Sequence, residues 1–374
     1  MSLKFLVLDT YYPNFIKKVR NNNKTLCNES YRYQLKYMLS KCFGTSDFYS
    51  FNLRKLGYEA IDIIANDEIL QRTWANENKL EVEKSDLISK LQTFPLIHKF
   101  IGRPDWIQTI TLEQIKKEKP DIVYMQDLSV LNISTLKKVK KYCRLLVGQI
   151  ACPLPNKQNL KQFDLILTSF PHFVERFSKM GIKSEYFKIG FEKRILNKFK
   201  KFKRKYNLTF VGGISPSHRK GLKLLNYIAK HIKIDVWGYG KELLLPTSNL
   251  YKYHHGEAWA LDMYKVLAES KITINRHIDV AENYANNMRL YEATGMGTML
   301  LTDKKDNLGD LFKTGIEVVE YSSPKDLVKK VKYYLKNEKE RTRIARKGQL
   351  RTLRDHTYNV RMKELIKIIE KYVK

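Results

Sequence analysis

The chain has 374 residues, 43% of them apolar, which is long enough for two domains with a core each and too apolar for a disordered chain. Its 69 Lys and Arg against 39 Asp and Glu leave a net charge of +30, and Cys27, Cys42, Cys143 and Cys152 lack paired spacing, so neither a disulfide framework nor a zinc site is expected. No apolar run approaches the roughly 18–20 residues that span a bilayer, and the opening LKFLVL stops at Asp9, too short for a signal-peptide core, so a soluble cytoplasmic protein is expected.

In chain order, LKFLVLD (3–9), IDIIA (61–65), DIVYM (121–125), RLLVG (144–148) and DLILT (164–168) are short apolar runs. Helical segments are expected between them, at 30–43, 67–84, 106–118, 131–141 and 171–180. Strands buried on both faces and alternating with helices predict a parallel α/β sheet. The pattern fails between Phe191 and Tyr206, where six basic residues fall among the eight from Lys198 to Lys205, interleaved with Phe199 and Phe202. Such a run is a solvated linker or an amphipathic contact with an anionic membrane. The alternation then restarts with LTFVGG (208–213), a helix from about 218, IDVWGYG (234–240), a helix from about 258 and KITIN (271–275). NNMRLYEATGMGTMLLTD (286–303) reads as helix, glycine turn and strand, and EVVEY (317–321) follows.

In an open α/β sheet, ligands collect at the carboxyl ends of the strands. In the second half these ends carry Gly212 and Gly213 with His218, Arg219 and Lys220, then Tyr239, His277, and the helix start from Asn287 to Glu292. Arg289 and Glu292 share one helix face: the carboxylate suits the two hydroxyls of a ribose, and the guanidinium with the helix N-terminus suits phosphate. The ordinary alternative is a surface ion pair of little energetic weight. Gly212 and Gly213 admit backbone amides to a phosphate, or form a plain strand–helix turn. His277 bonds a base or phosphate, or is structural. Tyr11, Tyr12, Tyr253 and Trp259 include possible base-stacking rings, and the sequence selects none of them. No Asp-x-Asp clamp follows a strand, so no metal is expected. In the first half, Asp9 and Asp127 stand at strand ends as candidate general bases, a position where caps and turn residues are also common, and Gln149 is a candidate for sugar or acceptor.

Asn287, Arg289 and Glu292 form an Asn-x-Arg-x-x-Glu run before a small-residue turn and an apolar strand. In this the chain resembles GT-B glycosyltransferases, in particular the group similar to the spore-maturation protein CgeB. TFVGGISPSHRKG (209–221), LFKTGIEVVEY (311–321), RDHTYNVR (354–361), GTSDFYSFNLRKLGYEA (44–60) and DLILTSFPHFVERF (164–177) extend the likeness, which is strongest after about residue 205. The resemblance implies two Rossmann-like domains facing across a cleft: an acceptor-side domain (1–195), a basic linker (196–206), a nucleotide-sugar domain (207–353) and a closing helix (354–374) crossing back to the first domain. It further implies metal-independent sugar transfer from a nucleotide-diphosphate donor, UDP-linked by preference, to a glycan or lipid-linked acceptor, with the nucleotide sugar as co-substrate and no other cofactor. Retaining members carry two glutamates across this element; Glu292 matches the second, but Tyr284 occupies the place of the first, with Glu282 two residues away. The stereochemical outcome stays open, and a catalytically silent glycan- or nucleotide-binding scaffold is the alternative function. The +30 charge fits a peripheral contact with an anionic membrane at its inner face, a lysine-rich surface without a partner, or nucleic acid. The last is not expected, since no nucleic-acid motif accompanies it.

Overall fold

The structure is a computed structural model and describes residues 2–83, 103–199, 202–215 and 219–373, with Arg219 described by its backbone only. Met1–Phe187 with Met362–Lys374 form one compact unit, and Lys188–Arg361 form a second.

Unit 1 is built on six strands, β1 (Lys4–Asp9), β2 (Glu59–Ile64), β3 (Ile122–Met125), β4 (Leu145–Ile150), β5 (Leu165–Thr168) and β6 (Ser184–Tyr186). They lie in the order β2-β1-β3-β4-β5-β6, all parallel. Every residue of β3 and β5 is buried, as are Phe5 to Leu8 of β1, which is why these runs read as continuous apolar stretches. The helices described between them are α1 (Pro13–Asn22), α2 (Tyr31–Ser40), α3 (Phe48–Lys55), α4 (Glu68–Glu77), α5 (Asp105–Glu118), α6 (Ile133–Val139), α7 (Lys157–Leu160) and α8 (Pro171–Lys179). Their starts follow from local chemistry: Asp67 and Asn132 accept the Leu70 and Thr135 amides, and Pro13 and Pro171 open α1 and α8. The helix expected to reach Lys84 ends at Glu77, and Lys84 itself lies outside the described residues. Strand β6 has no apolar run to announce it, being Ser-Glu-Tyr at a half-buried sheet edge.

Unit 2 repeats the scheme with β7 (Tyr206–Val211), α9 (Arg219–His231), β8 (Asp235–Trp237), α10 (Asn249–Lys252), α11 (Leu261–Ala268) and β9 (Ser270–Ile274). It continues with α12 (Met288–Gly295), β10 (Met299–Asp303), α13 (Leu308–Leu311), β11 (Val319–Tyr321), α14 (Pro324–Lys336) and α15 (Glu338–Asp355). The parallel order β8-β7-β9-β10-β11 matches, strand for strand, the first five of unit 1. In each sheet the direction of winding reverses beside the first strand, between β1 and β3 and between β7 and β9. These are the switch points where an open α/β sheet leaves a crevice for ligand.

Two expectations change. The closing helix foreseen over 354–374 is broken: α15 ends at Asp355, and α16 (Tyr358–Ile369) starts afresh. The break exists because the backbone pairs with another segment, Phe191 donating to His356 O at 2.8 Å and accepting from the Tyr358 amide at 3.1 Å. Arg361, 1% exposed, fixes it by donating to Ile189 O at 2.9 Å and to His356 Nδ1 at 2.7 Å. The second change concerns the basic run. Lys200 and Lys201 lie outside the described residues, and Arg204, exposed as a residue, is nonetheless anchored to unit 2 through its guanidinium. Its guanidinium donates to the carbonyls of Ala268, Ser270 and Gly297 and to Thr298 Oγ1. Ala268 ends α11 and Gly297 follows α12, so Arg204 satisfies carbonyls that helix C-termini leave unpaired. Lys205 pairs with Glu269 at 2.7 Å. Among the described residues no helix is long and apolar enough to cross a membrane.

Candidate functional site

In unit 2 the switch-point loops are packed through glycine. Gly238 and Gly240 have φ of +151° and +93°, and a Cβ on either would fall on the carbonyl oxygen of Gly212 or Ile214, respectively. A Cβ on Gly213 would overlap the Tyr239 ring. The loops are also laced by hydrogen bonds, Gly212 N–H to Trp237 O and Ile214 N–H to Tyr239 O, both 2.9 Å. The glycine pair therefore serves first to let the loops after β7 and β8 touch. The Gly212 amide, expected to approach a phosphate, is already taken, and among the described residues Gly213 keeps the N–H that no protein group accepts. Lys220 is exposed in the first turn of α9; His218 and the Arg219 side chain lie outside the described residues.

The aromatic candidates also differ in their surroundings. Tyr11 is buried against Phe15 and Phe43, whereas Trp259 lies parallel to Tyr239, centroids 6.2 Å apart and planes 14° apart, beside the glycine loops. Trp259 Nε1 donates to Glu257 at 2.7 Å.

After β9, the side chains of Asn275 and Asn287 exchange hydrogen bonds of 3.2 and 2.8 Å, tying the strand end to the start of α12. Asn287 is thus the N-cap residue of α12 by position but makes no side-chain cap bond. His277, foreseen as a contact for base or phosphate, is 1% exposed, and both its ring nitrogens are engaged. Nδ1 bonds Asp303 at 2.7 Å, and Nε2 accepts the Asn286 amide at 3.3 Å. It holds the loop in place. Burial would raise the Asp303 carboxyl, but the His277 bonds and Lys305 bring it below the usual range.

On α12, Arg289 Nη1 stands 2.9 Å from Glu292 Oε2, with the side chains only 15% and 6% exposed. This is not the surface pair of the ordinary reading. The contact is close but poorly directed, since Nη1 has no hydrogen-bond partner. Burial pushes the Glu292 carboxyl up, partly offset by Arg289 and by the Tyr264 hydroxyl that donates to it. A buried, imperfectly paired ion pair is a cost to folding, tolerable where a ligand completes it.

In unit 1 the switch point places Asp9 and Asp127 side by side with different duties. All the bonding directions of Asp127 are occupied: Ser129 donates through N and Oγ at 2.9 and 2.7 Å, Thr10 Oγ1 at 2.9 Å and Arg103 at 2.8 Å. Against the opposing effect of burial, Arg103 and these donors hold its carboxyl below the usual range. Among the described residues Asp9 accepts the Thr10 amide at 2.8 Å, while Thr45 Oγ1, 3.4 Å away, has its closer partner in Gln126 Oε1 at 2.5 Å. Burial, with the Asp127 charge adding to it, lifts Asp9 to about 7. Of the two strand-end aspartates, Asp9 has the proton affinity of a general base, while Asp127 is a fixed anion in a turn. Gln149 has its carbonyl taken by the Tyr49 and Tyr124 hydroxyls at 2.8 and 2.7 Å. Arg103, Thr10 and Thr45 escaped the sequence reading because only the fold brings residues so far apart to one strand end.

Asp62, on β2 beside Val7, is likewise lifted to about 7, chiefly by burial, with Ser50 donating to one oxygen and no partner on the other. The folded state thus keeps a proton that the unfolded chain releases near its ordinary 3.8. Stability from this group falls as pH rises across that window. Asp62→Asn is therefore expected to stabilise the protein by about 1–3 kcal/mol at pH 8 and by almost nothing near pH 4, read by urea denaturation at the two pH values. An equal effect at both would refute the assignment.

A family model described as glycosyl transferase-like matches residues 219–367, which include Arg289 and Glu292 but none of the unit 1 strand-end residues. No curated protein matches the chain in sequence. Solved structures resemble it along its length at low identity. HepE of Anabaena, solved in complex with UDP-glucose, has 11% identity over 99% of this chain and 100% of its own, with a TM-score of 0.61. Sucrose-phosphate synthase of Thermosynechococcus elongatus has 9% identity over 98% of both chains, with a TM-score of 0.59. A glycosyltransferase of Rickettsia africae has 12% identity over 99% of both, with a TM-score of 0.55. The fold is that of GT-B glycosyltransferases, an α/β chain with two parallel sheets.

Proposed function

We propose that the protein is a metal-independent glycosyltransferase that moves a sugar from a nucleoside-diphosphate donor, UDP-linked by preference, to a hydroxyl of a glycan or lipid-linked acceptor. The observation that carries this reading is the buried, incompletely bonded Arg289–Glu292 pair at the opening of α12, within the segment that matches the glycosyl transferase-like family. Glu292 would take the ribose hydroxyls and Arg289 the diphosphate. The first-turn amides of α12, which Asn287 leaves uncapped, and Lys220 would add to the stabilisation of the leaving group. Tyr239 and Trp259 offer the base a stacking face. HepE was solved with UDP-glucose and with UDP, which makes UDP the first nucleotide to try.

Asp9 takes the proton of the acceptor hydroxyl as its oxygen attacks the anomeric carbon, and the bond from that carbon to the diphosphate breaks, its electron pair leaving with the UDP. Tyr284 stands where retaining members have a glutamate, which favours inversion of the anomeric centre. The finer likeness to the CgeB group rests on the Asn287, Arg289 and Glu292 run, and a cytoplasmic location on the sequence pattern. The test is a thermal-shift panel of nucleoside diphosphates and nucleotide sugars followed by an assay for released UDP. UDP and a UDP-sugar are expected to raise Tm, and the UDP-sugar to be turned over. Binding without turnover would return the silent-scaffold reading, and binding of none would remove the donor site.

A further inference from the structure

Unit 1 contains a cavity of about 270 Å³ lined by residues of α1, by the chain at Asn66–Ile69, and by Arg103 and Ile107. Among the described residues five charged side chains line it, and their pairing leaves a definite residue of chemistry. Arg20 is committed to Asp67, its Nε and Nη2 at 3.0 and 2.6 Å, and to Gln34. Glu68 is committed to Arg72 at 2.8 Å. Arg103 gives one nitrogen to Asp127, and its buried Nε has no partner. Lys17, exposed on α1, has no carboxylate or hydrogen-bond partner among the described residues. Among the described residues this leaves one uncompensated cation at the cavity, Lys17, with two unbonded polar atoms buried beside it, Arg103 Nε and Asp67 Oδ2. Pro13, Ile16, Ile69 and Ile107 add apolar surface to its lining.

We infer that this cavity is an acceptor subsite for an acidic sugar, a hydroxylated ring bearing a carboxylate or phosphate. Lys17 and Arg103 would hold the anion, Asp67 would accept a ring hydroxyl, and the isoleucines would cover the ring's apolar face. The inference rests on the transferase reading above and deepens it by naming the acceptor's class. The location supports it. Arg103 bonds Asp127, Asp127 bonds Thr10, and Thr10 bonds Asp9, so an anion on Arg103 lies a short chain of hydrogen bonds from the proposed base.

The test uses the full chain at low salt, with binding followed by saturation-transfer NMR and calorimetry. Glucuronate and glucose 6-phosphate are expected to bind at least about tenfold more tightly than glucose, as a charge-assisted contact implies. Lys17→Gln should remove that margin while leaving the weak glucose binding unchanged. Equal affinity for glucose and glucuronate, or anion binding indifferent to Lys17→Gln, overturns the inference. Inorganic phosphate binding as tightly as glucose 6-phosphate would overturn the sugar part of it. UDP binding is measured on the same samples: its absence in the wild-type protein counts against the donor site, so the two failures are distinguishable.

Discussion

Asp9→Asn is expected to lower turnover by about 10²- to 10⁴-fold, the range for loss of a positioned general base, while UDP still binds. The substitution is nearly isosteric, and the new side chain keeps an oxygen for the Thr10 amide that now bonds Asp9 at 2.8 Å. In the wild-type protein the rate should rise with pH through about 7 and level off above it, because the base must be deprotonated and burial holds Asp9 near that value. Asp127 contributes to the raised value through its charge. Asp127→Asn should therefore move the inflection to lower pH, since removing a neighbouring negative charge makes deprotonation easier. Initial rates across pH 5–9 for the three proteins decide the matter. A profile flat across neutrality, or an Asp9→Asn enzyme with near-normal rate, would move the base elsewhere.

Glu292→Gln should weaken UDP binding by about 1–3 kcal/mol, as hydrogen bonds to a charged group allow. The amide can still accept from Tyr264, so the protein should fold, at some cost from leaving Arg289 unneutralised. Arg289→Ala should cost UDP a similar amount and spare uridine, because the guanidinium acts on phosphate. It also leaves Glu292 buried without its cation, which favours the protonated form still further. Calorimetric titration of both ligands separates these effects, with thermal melts to confirm that each variant is folded. Equal affinity of the wild-type protein for UDP and uridine would remove the phosphate role of Arg289.

The parallel sheets were legible because their strands are buried on both faces, as Ile122–Met125 and Leu165–Thr168 show, so apolar runs alone mark them. The polar edge strand Ser184–Tyr186 and the break at His356–Thr357 were not, the first for want of a pattern and the second because a tertiary pairing with Phe191 imposes it. At the candidate site, helical spacing announced the Arg289–Glu292 contact, but not that it is buried. The division of labour between Asp9 and Asp127 was beyond reach, since it is set by Arg103 and Ser129, donors whose approach depends on the folded loops. For His277 the sequence left a ligand contact and a structural role both open, because the Asp303 and Asn286 groups that engage its ring come from later in the chain. The carbonyls that hold the Arg204 guanidinium likewise lie far along the chain.

On the proposed function, the contact of Gly238 and Gly240 with the carbonyls of Gly212 and Ile214 has a bearing on how donor preference could be inherited or redesigned. Each loop is the mould of the other. A side chain introduced into the turn after β8 displaces the turn after β7, so neither can drift alone. A transplant that brings in one turn from a relative with another nucleotide preference would misfit its host partner. A chimera built here would have to carry both turns, with Tyr239 and Trp259, as one cassette.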